Sequence, residues 1–105
     1  MSEVVVVATL RAAEGNEDEV LAGLSELAAA THTEEGCIAY TLHRGLDDPG
    51  RIVMIERWRS RADLDAHFAQ PYVAAAGDRA HLLAEAPQVH FLAPAPAGHA
   101  EKGRL

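Results

Sequence analysis

Three short pieces of the 105-residue chain hold the side chains best suited to chemistry: Glu56-Arg57-Trp58, the stretch from Leu64 to Phe68 with His67 inside it, and Pro71-Tyr72. Glu56 and Trp58 stand two residues apart, so on a strand they share a face, together with Ile52 and Met54. If that face is the helix-covered one, the helix that follows Ser60 folds back across it and His67 hangs near Trp58. An indole beside an imidazole, in a cleft between sheet and helix, suits a flat aromatic ligand: the ring stacks on Trp58 while His67 accepts a phenolic proton. Phe68, Tyr72 and, earlier in the chain, Tyr40 complete the aromatic set available to such a cleft.

Plain core packing is the competing reading for Trp58, Tyr40 and Tyr72, and a satisfied or surface histidine is the competing reading for His67. Glu56 differs, because a carboxylate in mid-strand beside Met54 and Ile55 is costly to bury without a partner. Arg44 on the neighbouring strand is the expected structural partner; otherwise Glu56 holds a substrate hydroxyl or orients an imidazole. Cys37 reads as buried filler, with Glu34 and Glu35 raising the pKa of its thiol.

No segment matches a phosphate loop, a dinucleotide fingerprint, a zinc pattern or a nucleophile elbow. The six histidines (His32, His43, His67, His81, His90 and His99) are scattered at no familiar ligand spacing, so no metal is expected. A formal net charge of -7 repels nucleic acid and anionic membrane, and neither is expected as a partner. The single cysteine makes no internal disulfide, no charged n-region with a long apolar stretch opens the chain, and Val4 to Ala8 is too short to span a bilayer; a soluble cytoplasmic protein is expected.

The elements that must position these residues follow from periodicity and punctuation. Val4 to Arg11 is β-branched at its start and free of Gly and Pro, a first strand. Asn16 then caps a helix over residues 17–33, whose Glu17, Asp18 and Glu19 suit its positive end and whose Val20, Leu21, Leu24, Leu27 and Ala28 form one face. Gly36 serves in the stop of that helix, and Cys37 to Leu46 alternates as a strand. Asp47-Asp48-Pro49-Gly50 is a turn, returning into a strand over Arg51 to Arg59. Ser60 and Asp63 cap the helix carrying Leu64 and His67, and Pro71 opens a further piece with Val73, Ala76, Ala80 and Leu83 on one stripe. Pro87 ends it, and Gln88 to Ala93 is the last strand.

Strand, helix, strand, strand, split helix, strand is the βαββαβ unit: an α+β, ferredoxin-like antiparallel sheet with helices on one face only, filling residues 1–94, with 95–105 a mobile tail. The uncovered face, rich in Val, Ile and Leu, calls for a second copy of the chain, so a homodimer is expected.

Thr33-Glu34-Glu35-Gly36-Cys37-Ile38-Ala39-Tyr40, then Glu56-Arg57-Trp58, then Ala62-Asp63-Leu64-Asp65-Ala66-His67 resemble, in order and spacing, the Glu-x-Gly-Cys-x-x-Tyr, Glu-x-Trp and Leu-x-x-His signature of the antibiotic biosynthesis monooxygenase family. The resemblance covers residues 3–93. It implies a dimeric α/β barrel made by sheet-to-sheet pairing, and an enzyme that needs no metal or flavin because its substrate supplies the electrons to O2. It also implies His67 as the base, Trp58 as the residue that positions the ring, and Tyr72 or Tyr40 as a hydrogen-bonding partner of a substrate oxygen. The family's haem degraders carry an Asn on the first strand, and Val4 to Thr9 has none. The function so implied is a cofactor-independent monooxygenase oxidising a quinol or polycyclic phenol, a small aromatic molecule, with O2. An isomerase or proton-transfer enzyme acting on a small hydroxyketone, and a non-catalytic dimer that binds an aromatic ligand, are the alternatives.

Overall fold

Four consecutive valines, Val4 to Val7, favour an extended backbone, since two heavy atoms on Cβ restrict χ1 and pack well on a pleated surface. In the computed structural model, which describes residues 2–105, they open β1 (Val4–Arg11), followed by α1 (Glu17–Thr31), β2 (Cys37–Arg44) and β3 (Arg51–Trp58). Next come α2 (Arg61–Phe68), α3 (Pro71–Gly77), a single 3₁₀ turn (Ala80–Leu82) and β4 (Gln88–Leu92). The sheet order is β2-β3-β1-β4 and every pairing is antiparallel. This is the ferredoxin-like α+β architecture that the element order predicts.

Alternation on β3 decides which face meets the helices. Ile52, Met54, Glu56 and Trp58 are buried, whereas Arg51, Val53, Ile55 and Arg57 face outward. Register carries the pattern across the sheet, with Val6 opposite Glu56 and Val4 opposite Trp58 on β1, and Tyr40 opposite Glu56 on β2. The core between sheet and helices contains Val6, Ala8, Leu10, Ala28, Tyr40, Met54, Trp58 and Leu64. At one end a second cluster of Ala12, Val20, Ile52 and Leu82 seals the sheet under α1.

Local chemistry moves several element ends. α1 stops at Thr31, two residues short of the expected end; the hydroxyls of Thr31 and Thr33 donate to the Leu27 and Ala30 carbonyls, and the Glu34 N–H donates to the Thr31 carbonyl. Gly36 is not a left-handed helix stop, because positive φ occurs only at Gly15 and Gly98 among the described residues. Asn16 occupies the N-cap position of α1 without a side-chain cap bond. The Ser60 hydroxyl does cap α2, accepting from the Asp63 N–H. α3 ends at Gly77, a poor helix former, so the stripe expected to continue through Ala80 and Leu83 becomes the 3₁₀ turn, and Leu82 is the residue it buries. No helix among the described residues is long and apolar enough to cross a membrane.

Candidate functional site

α2 crosses the helix-facing side of the sheet so that the His67 ring lies 4.6 Å from Trp58 and 5.9 Å from Tyr40, centroid to centroid. All three are buried. The Trp58 indole N–H donates to Glu56 Oε1 at 3.0 Å, and this is the partner that Glu56 has in place of Arg44. In the β2–β3 register Tyr40 opposes Glu56 but Arg44 opposes Ile52, four residues and therefore about 13 Å away along the strand. Arg44 donates instead to the Pro49 carbonyl, across the turn that joins β2 to β3. Burial raises the Glu56 pKa, with the Trp58 hydrogen bond opposing it.

The carboxylate that ties the site together is Glu34. His67 Nδ1 lies 2.8 Å from Glu34 Oε2, and the Tyr72 hydroxyl donates to that same oxygen at 2.5 Å. Such a carboxylate holds the hydrogen of a neutral imidazole on Nδ1 and leaves Nε2 as the acceptor. The Tyr72 hydroxyl has its pKa pushed up to about 12, by burial first and by the hydrogen bond to Glu34 second. At neutral pH Tyr72 is therefore a protonated donor.

Glu34 is set by a turn rather than by a strand or helix. The Cys37 N–H donates to the Glu34 carbonyl at 3.1 Å, and the Arg59 N–H donates to the Gly36 carbonyl at 2.9 Å. A Cβ at Gly36 would sit 2.3 Å from Asp63 Cγ and 2.4 Å from Asp63 Cβ, so only glycine lets this turn close on the N-terminus of α2. Asp63 is fixed in turn by Arg59 and by the Ser60 hydroxyl. Pro71 at the first position of α3 presets the backbone that presents Tyr72.

Beside this network lies a cavity of about 430 Å³, bounded by α1, α3, the 3₁₀ turn and the sheet. Ala8, Leu10, Met54 and Val89 supply sheet side chains to its lining, and Leu24 and Leu27 supply α1 side chains. Small residues, Ala30 on α1 with Ala75 and Ala76 on α3, leave the space open, while the Arg79 side chain lies over Gly23. Its titratable lining residues are Tyr72, Glu26 and Arg79. Of the residues singled out in the sequence, Tyr72 lines this cavity; Trp58, His67, Tyr40 and Glu56 pack beside it, within the core. Phe68 is half-exposed at the end of α2, where it meets Phe91 edge-on with ring centroids 6.0 Å apart.

Two features escape sequence reasoning. Glu34, read there only as a neighbour of Cys37, is the hub of the network; the available signal was its position as the first residue of the Glu-x-Gly-Cys pattern. The α1 wall of the cavity has no local signature at all. Cys37 is half-buried, and its thiol pKa is raised by burial, then Glu34 and then Glu56, while Glu35 lies out at the surface near Arg59. Among the described residues no three His, Cys, Asp or Glu side chains converge as a metal site would require.

Comparison with known proteins gives a consistent set of relatives. A family model described as antibiotic biosynthesis monooxygenase matches residues 3–79. Rv0793 of Mycobacterium tuberculosis, named provisionally as a monooxygenase, is 33% identical over 94 residues, which cover 89% of this chain and 92% of that protein. Its solved structure superposes with a TM-score of 0.84 at 31% identity, covering 94% of this chain and 99% of the other. A crystal structure titled antibiotic biosynthesis monooxygenase gives 0.83 at 30% identity, covering 89% and 99%. The protein sll1783 of Synechocystis is 29% identical over 69 residues, 66% of this chain, and the match spans only 47% of that longer protein.

Proposed function

The chain belongs to the antibiotic biosynthesis monooxygenase family, and from that premise we propose that it is a cofactor-independent monooxygenase oxidising a quinol or polycyclic phenol with O2 in the cavity between α1 and α3. The observation that carries the reading is that Tyr72 belongs both to the wall of an apolar cavity and to a part-buried hydrogen-bonded network with Glu34 and the buried His67.

A fused aromatic ring fills the space beside Ala75 and Ala76, and its phenolic O–H donates to the Tyr72 oxygen, whose own hydrogen is committed to Glu34. Proton loss through Tyr72 onto the Glu34–His67 pair leaves an electron-rich phenolate. Trp58 and Tyr40 hold the imidazole in place, and Glu56 fixes the indole. The phenolate reduces O2 directly: conversion of hydroquinone to quinone supplies two electrons, and conversion of a ring C–H to C–OH supplies two more. One oxygen atom ends in the product and the other in water. Apolar walls protect the oxygen intermediate from solvent. A small hydroxyketone would leave most of the cavity empty, which weighs against the isomerase alternative.

The outer sheet face supports a homodimer as part of the same reading. By strand alternation Val7, Val53 and Ile55, all partly exposed, form its apolar centre beside the already buried Val5. Light scattering is expected to give twice the chain mass; a monomer at micromolar concentration contradicts this.

The activity is tested with metal-stripped protein and 1,4-dihydroxynaphthalene in air. Expected are oxygen uptake above autoxidation and 2-hydroxy-1,4-naphthoquinone carrying one atom from isotopically labelled O2. No uptake with any of a panel of hydroquinones overturns the reading. Unchanged bound ligand then points to a binding protein, and turnover of a hydroxyketone under nitrogen to an isomerase.

A further inference from the structure

Arg79 follows α3 and lines the cavity, where it is the one cationic residue among the described lining residues. Its guanidinium lies over bare backbone of α1: a Cβ at Gly23 would sit 2.5 Å from Arg79 Nη1. Arg57, Arg59 and Arg61 hold carboxylates at 2.9, 2.9 and 3.2 Å. Arg79, in contrast, has Glu26 at 3.9 Å, with both side chains more than half exposed. A pair so long and so solvated contributes little, and the guanidinium donors are free for another acceptor.

Tyr72 on α3 and Arg79, two residues beyond the end of that helix, both line the cavity. The cavity thus offers a hydroxyl tied to a carboxylate, a guanidinium, and apolar walls.

We propose that Arg79 recognises an acidic substituent, so that the cavity takes a polycyclic aromatic hydroxy acid with the phenol at Tyr72 and a carboxylate or similar anion at Arg79. This rests on the reading of the cavity as an aromatic site. Glu26 is the internal acceptor that such an anion displaces. The preference is local, because a chain of net charge -7 repels anions at a distance. A planar guanidinium can grip a carboxylate with two parallel hydrogen bonds, which a neutral ring does not offer.

The test uses two redox-stable fluorescent probes, 6-hydroxy-2-naphthoate and 2-naphthol, titrated against the full chain. The naphthoate is expected to bind about tenfold tighter, the size of one charge-assisted hydrogen bond. Arg79→Gln is expected to abolish that difference while changing 2-naphthol affinity less than about twofold, and Glu26→Gln to tighten the naphthoate alone. Binding of both probes with no naphthoate preference, or a preference that survives Arg79→Gln, overturns the assignment of Arg79 and leaves the aromatic site standing. Binding of neither probe overturns both.

Discussion

The Tyr72 hydroxyl and the His67 imidazole meet on a single atom, Oε2 of Glu34, at 2.5 and 2.8 Å. One oxygen therefore links α3, α2 and the turn before β2, and every route from the cavity to the buried imidazole through these groups passes over it.

Replacing that oxygen's basicity without its shape isolates its role. Glu34→Gln is expected to lower the rate of oxygen uptake by about 10²–10³-fold, the usual scale of general acid–base participation, with a near-normal melting temperature. Tyr72→Phe is expected to act on the same step, so the double variant loses far less than the product of the two single losses. Multiplicative losses would mean that the two groups act independently.

The two tyrosines of the chain report on the site directly. Tyr72 is pushed up to about 12, and burial raises Tyr40 further still. Phenolate absorbance should stay flat through pH of about 10, where free tyrosine is half-ionised, and rise only above it. Both folded pKa values exceed the unfolded value, so the stability they contribute is complete below the ordinary tyrosine range and is lost as pH climbs through the raised values. A half-amplitude absorbance step near pH 10 would contradict the raised pKa of one of them.

Glu56 has the opposite interest, being a carboxyl that burial raises. The protonated form is favoured by folding, so its contribution is full below the unfolded carboxyl pKa and is lost as pH rises through the folded one. Glu56→Gln keeps an acceptor for the Trp58 indole and removes this dependence. Thermal melts should show the variant gaining on the wild type between pH 4 and pH 7.5; a variant that falls behind over that interval would refute the account.

Much of this architecture was legible in the chain, and the reasons differ by residue. Alternation along Arg51–Trp58 identifies the buried face because the pleat has a fixed period of two, and Ser60 and Pro71 mark helix starts through chemistry confined to a few neighbours. The proximity of His67 to Trp58 follows once that face is known to be helix-covered. Glu34 was not legible as the hub, because its partners lie 33 and 38 residues away and are brought to it by the closure of a turn on α2. The cavity was not legible either, since it arises where facing helices both carry small side chains, and emptiness has no local signature. Arg44 failed as a partner for Glu56 because adjacency of strands does not fix register.

Gly36 is the residue on which that closure depends. Gly36→Ala is expected to cost about 1–3 kcal/mol, the range for overpacking a close contact, since its Cβ would overlap the base of the Asp63 side chain rather than a flexible tip. Oxygen uptake should fall as well, through displacement of Glu34. Denaturant unfolding and activity measured together check this; an alanine variant with unchanged stability would show that the turn has room to move.

α3 buries none of its residues fully, although it carries Tyr72 and walls one side of the cavity. Its backbone hydrogen bonds are therefore guarded by little packing, and local unfolding of this helix lies at the low end of the molecule's free-energy range. Amide hydrogens of residues 74–77 should exchange with deuterium faster than those of β1 and β3, and an occupant of the cavity should slow them in proportion to its affinity. Each local opening of α3 would part Tyr72 from Glu34, so under the proposed proton route an open helix holds no activated substrate.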